Sequence, residues 1–189
     1  MAKTNNKANV SVGKPKAGGA VFVAPAGTEL PTDAKTALPD DFKCLGCISE
    51  DGVVQSQEID SEDIPDWEGN IVDSPQTSFA ETYQMTYIEH MNADVLGFVY
   101  GADNVVIPAE GDAAIKVMHS GDDRDEVVMV VDTVLKGKKL DRLVIPRAKC
   151  GEIGDVPRKR NELIAYEATV KALSDDAGKT TYEYIEAVA

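Results

Sequence analysis

The chain has 189 residues, 43% of them hydrophobic, and 33 acidic residues against 19 basic ones, for a net charge of −14. Such a balance fits one domain with a real core, excludes wholesale disorder, and excludes a protein that holds nucleic acid through its overall charge. No run reaches the roughly 18 apolar residues of a membrane span. The polar start has no apolar secretory segment behind it, and Cys44, Cys47 and Cys150 form no disulfide framework, so the expectation is a soluble protein of a reducing cytoplasm.

Residues 1–18 hold Asn, Lys, Gly, Pro and small residues, with almost nothing to bury, and are expected to form a flexible N-terminal arm used in assembly. Residues 19–189 are expected to be a single β domain. Its first strand is 20–24, and 25–41, with Gly27, Pro31 and Pro39, reads as a long loop. Strand-like runs at 42–49 and 53–59 flank Glu50-Asp51-Gly52, a strong hairpin signal because glycine accepts the positive φ of a tight turn. After them comes an acidic, proline-containing loop, 60–69, that carries Trp67, the only tryptophan. A large aromatic on such a loop needs a surface to cover it, so the loop is expected to dock on its own sheet or on a neighbouring copy.

Residues 71–73 read as a short edge strand before Pro75. In 79–89 the alternation sets Phe79, Tyr83, Met85 and Tyr87 against Thr82, Gln84 and Thr86, which fits a half-buried antiparallel strand. One helix is predicted at 92–100: Asn92 is the N-cap, Asp94 lies in the first turn, and Gly101 stops it. Strands are predicted at 105–108, 114–119, 126–135, 140–148, 163–173 and 180–187, with hairpins at 135–140 and 174–179 and with Ile164, Tyr166, Ala168, Val170 and Ala172 on one face. The fold class is mainly β, an antiparallel β-sandwich or partly closed barrel with one flanking helix.

Charge is segregated. Residues 1–16 carry four lysines and no acid, 29–69 twelve acids and two lysines, and 136–160 nine bases and three acids. Copies packed side by side can set one copy's basic stretch against the next copy's acidic one. The residues expected at such contacts are Trp67, Asp60, Glu62, Asp63 and Asp66 on the loop, Lys14 and Lys16 on the arm, and Lys138, Lys139, Arg158, Lys159 and Arg160 in the basic region.

Catalytic patterns are weak. Cys44 and Cys47 match C-x-x-C but lie in a predicted strand, three apart and so on opposite faces, and no second ligand pair exists for zinc. His119 with Asp122, Asp123 and Asp125 lacks the glycine and closing glutamate of a calcium loop. Ser11-Val12-Gly13-Lys14 fits S-x-x-K only in letters, and no glycine-rich phosphate loop is present. No cofactor, no metal and no enzymatic activity is expected.

The order and spacing of Gly13-Lys14-Pro15-Lys16, Gly18-Gly19, the APAGTELPTDA segment from Ala24, Leu45-Gly46, Ser49-Glu50-Asp51-Gly52, Trp67-Glu68-Gly69, Glu81-Thr82 and Tyr100-Gly101 resembles the major tail protein, the tail tube subunit, of long-tailed bacteriophages of Gram-positive, especially actinobacterial, hosts. Cys47 stands where an aromatic is expected after Leu45-Gly46. The resemblance implies a tail-tube-like fold and hexameric rings stacked into a hollow tube. It further implies contacts with tape measure, terminator and distal tail proteins, transient passage of viral DNA through an acidic lumen, assembly in the host cytoplasm and residence in the virion tail. Alternatives from other classes are a tail terminator or capsid decoration protein and a β-sandwich module for a glycan or receptor; the 11 aromatics, spaced mostly as core, speak against the last.

Overall fold

The computed structural model describes residues 5–108 and 114–187. The strands are β1 (Lys14–Pro15), β2 (Val21–Pro25), β3 (Lys43–Cys44), β4 (Ile48–Ser61), β5 (Ile64–Pro65), β6 (Ile71–Asp73) and β7 (Gln76–Tyr87) before helix α1 (Ala93–Tyr100). After it come β8 (Val105–Val106), β9 (Lys116–Val117), β10 (Glu126–Leu135), β11 (Lys139–Ile153), β12 (Tyr166–Leu173) and β13 (Tyr182–Ala187). The protein is mainly β with one α-helix among the described residues, as the sequence predicts. Its main sheet is antiparallel throughout, in the order β3-β2-β10-β11-β12-β7-β4, with β1 added to β10 and β13 to β11.

The two ends of that order are close in the chain. Strand β3 ends at Cys44 and β4 begins at Ile48, and four residue steps span at most about 14 Å. The sheet must therefore curl until its edges nearly meet. The Leu45 amide donates to the Val21 carbonyl (2.9 Å) and the Ile88 amide to the Cys47 carbonyl (3.1 Å), so this link bridges the seam, although the sheet does not close into a barrel. Gly46 makes the link possible. Its φ is +69°, and a Cβ there would fall 2.2 Å from the Glu89 carboxylate, which accepts the Cys47 amide at 2.8 Å.

Alternation sorts the side chains between two cores. Tyr83, Met85, Tyr87, Met129, Val131, Ile145, Tyr166, Ala168, Val170 and Ala172 face the inside of the curl and pack on Val95, Leu96, Phe98 and Val99 of α1. Val128, Val130 and Val144 face outward with Ala24 of β2, where Leu30, Leu38 and Phe42 from the 25–42 region cover them. The helix forms as predicted: the Asn92 side chain accepts the Asp94 amide (3.0 Å), and the Gly101 amide closes the last turn on Gly97.

Several expectations are corrected. Asp51-Gly52 is not a hairpin turn: β4 runs through it, and both flanks pair with β7, Ile48 with Tyr87 and Val53 with Met85, so the extra residues form a bulge in which Gly52 supplies φ +72°. The true partner of β4 is β7, and the acidic loop is the tip of their hairpin. Residues 174–179 are no hairpin either, because β12 and β13 do not pair with each other; both pair with β11, end to end along one edge. Phe79 has the core parity but is 42% exposed, since the body ends at Glu81. Strand β12 starts at Tyr166, which leaves Ile164 ahead of the strand. Cys47 lies in the link between β3 and β4, not in a strand. The strands expected at 105–108 and 114–119 shrink to the β8–β9 pair, and 109–113 lie outside the described residues.

Candidate assembly surface

Residues 54–80 are exposed without interruption on both faces of the β4–β7 hairpin. Val54, Ile59, Ile64, Trp67, Ile71, Val72 and Phe79 stand among them, and Trp67 is fully exposed, at 104%. Two strands alone in water are marginal, and this pair carries apolar side chains with nothing of its own chain to cover them.

Its tip is nevertheless well built. Strands β5 and β6 pair across it, and the Asp66 carboxylate accepts the amides of Glu68 (2.9 Å) and Asn70 (2.8 Å) while the Asp66 amide donates to the Asn70 carbonyl (2.8 Å). Those bonds, the Asn70 amide first, hold the Asp66 carboxyl below its usual pKa. The Asp63 carboxylate accepts the Ser74 hydroxyl and that of Asp60 accepts the Ser78 hydroxyl. Glu62 and Glu68 are free of such duties.

The hairpin is anchored at its base by Glu81, which is 3% exposed. Its carboxylate accepts Gln55 and Gln57 from β4, and Thr180 and Thr181 from the segment before β13; the Tyr83 hydroxyl donates to Thr181 at 2.9 Å. Burial alone would raise the Glu81 pKa, but these neutral donors, Thr180 first, outweigh it and keep the group ionised to lower pH.

A second buried network seats the N-terminal segment and the 25–41 loop. Asp132 on β10 faces its register partner Arg142 on β11 in a bidentate pair, Nε to Oδ1 at 2.6 Å and Nη2 to Oδ2 at 2.8 Å, both side chains almost fully buried. Nη1 of Arg142 donates to the carbonyls of Asp33 and Thr36, and Lys16 donates to Asp132 at 2.9 Å. Burial pushes the Asp132 carboxyl up, and hydrogen bonds from Arg142 and then Lys16 pull it down further, leaving it below its usual range.

These positions divide the residues expected at contacts. Asp60, Glu62, Asp63, Asp66 and Trp67 share the hairpin tip. Lys14 and Lys16 lie on or beside β1, against β10, and Lys138 and Lys139 sit at the β10–β11 turn, so that Lys14 and the turn share one end of the sheet. Lys16 is occupied by Asp132 within its own subunit. Arg158, Lys159 and Arg160 lie beyond the far end of β11, and Lys159 pairs with Glu162. Sequence reasoning missed Glu81, Asp132 and Arg142; the signal was one aspartate inside the apolar run Val127 to Leu135. Among the described residues no three His, Cys, Asp or Glu side chains gather as a metal site. The least satisfied surface among the described residues is the β4–β7 strand pair.

A family model described as phage tail tube protein matches residues 3–188, nearly the whole chain. The chain belongs to that family, a structural component of the virion tail. A search of curated proteins finds no relative that matches it.

Proposed function

We propose that the protein is the repeating subunit of the tail tube of a long-tailed phage of a Gram-positive host, assembled in the host cytoplasm as six-membered rings that stack into a hollow conduit for the genome. The observation that carries this reading is the β4–β7 hairpin, exposed on both faces over residues 54–80 and tipped by Trp67. A chain that leaves such a surface uncovered completes it with further copies. The free outer edges of β4 and β13 offer further strand pairing, by which inward-facing strands of successive copies would line a continuous wall. An excess of 14 negative charges suits a conduit, because a wall that gripped phosphate would stop DNA from sliding. Residues 1–18 act as an assembly arm, and the tube ends engage tape measure, terminator and distal tail proteins.

Ser61 and Gln76 are register partners, so Asn-Gly can join them in place of residues 62–75. The shortened chain should stay a folded monomer and form no tubes by electron microscopy of concentrated protein. Normal tubes from it would refute the reading.

A further inference from the structure

The main sheet is forked. Ala148, Ala172 and Glu81 are successive register partners across β11, β12 and β7; β12 pairs one residue further, Leu173 with Arg147, and from Val144 to Lys139 β13 takes its place on β11. One prong is β10, β11 and β13 with β1; the other is the β4–β7 hairpin. From the rung toward the end of each prong the chain takes a similar number of steps, nine from Ala148 to Lys139 on β11 and nine from Gln57 to Asp66 through β4 and β5 on the hairpin. The hydrogen bonds found beyond Gln57 and Glu81 on the hairpin are internal to it.

The two tips are opposite in charge and alike in exposed apolar surface. Residues 60–73 hold six acids and no base. The other tip presents Lys136, Lys138 and Lys139 with Lys14 beside them, none paired with a carboxylate among the described residues. Val10 and Val12, 67% and 72% exposed, flank Ser11, whose hydroxyl oxygen accepts the Lys136 amide at 2.9 Å. Trp67, Ile64 and Ile71 have their counterpart there.

We propose that the acidic hairpin tip of one copy docks on the basic β10–β11 turn and the Val10–Val12 stretch of a second copy beside it in the same ring. In a ring, identical features lie at one level, and both prongs run the same way from the shared rung, so their tips lie at the same end of the subunit. Arg158 and Arg160 sit past Ile153, at the opposite end of β11 from this turn. This assignment rests on the tube reading and selects between the two basic stretches.

Charge reversal tests it on the full chain, with circular dichroism to confirm folding and sedimentation and electron microscopy to read assembly. Glu62→Lys with Glu68→Lys spares the acids that hold the hairpin together. That pair, and separately Lys138→Glu with Lys139→Glu, should each cut the assembled fraction about tenfold or more at low salt, and the chain carrying all four should recover it. Arg158→Glu with Arg160→Glu should leave ring formation intact. Normal assembly of the Lys138→Glu, Lys139→Glu chain would overturn the proposal, as would rescue of the hairpin variant by Arg158→Glu and Arg160→Glu. If the wild-type chain makes neither rings nor tubes, the tube reading itself falls, and this assignment with it.

Discussion

Arg142 holds three parts of the chain at once: the Asp132 carboxylate and the carbonyls of Asp33 and Thr36. Its removal would leave a buried carboxylate with Lys16 as its remaining cation, so Arg142→Ala should cost about 3–5 kcal/mol, measured by denaturant unfolding of the monomer. Asp141, its neighbour, is the opposite case. One of its carboxylate oxygens is buried without a donor, and burial, then Glu183 and Asp132, raise its pKa. A raised acid destabilises the fold when ionised: the penalty is absent below the unfolded pKa of about 3.9, grows through the folded value, and is complete above it. Asp141→Asn should therefore stabilise the protein at pH 7 and not at pH 3, in paired thermal melts. Asp132 and Glu81, held low, contribute stability that is present above their unfolded values and lost as pH falls through the folded ones.

At the scale of elements, the helix was legible because its signals are local: Asn92, Asp94 and Gly101 each act on backbone groups a few residues away. Strand β10 and the alternation of β12 were legible for a similar reason, since period two reports burial directly. Asp51-Gly52 misled because a local turn preference lost to pairing with β7 on both of its sides. Residues 174–179 misled likewise, since only the distant β11 decides that β12 and β13 lie end to end. Of the surface, Trp67 and the acids were visible as residues lacking a partner, whereas the length and rigidity of the element that carries them were not. Because the Trp67 side chain is fully exposed, Trp67→Ala should change monomer stability by less than about 0.5 kcal/mol while weakening assembly, a contrast read from thermal melts beside sedimentation of the concentrated protein.

The whole molecule is a well-packed body carrying an element that the body does not cover. Two buried ionic or polar anchors hold the prongs, Glu81 at the base of the hairpin and the Asp132–Arg142 pair within the other prong, and the exposed tips carry the charge and the apolar side chains. Contacts of this kind weaken as salt screens exposed charge over about 8–10 Å, so raising the salt should slow the formation of rings more than it lowers the melting temperature of the monomer. Amide hydrogen exchange over residues 54–80, in the monomer and in the assembled state, tests whether copies cover the hairpin. Exchange near the hairpin tip should be fast in the monomer and strongly slowed once copies have joined, with the β10–β11 core protected in both. Equal exchange of the hairpin in the two states would mean that copies do not cover it.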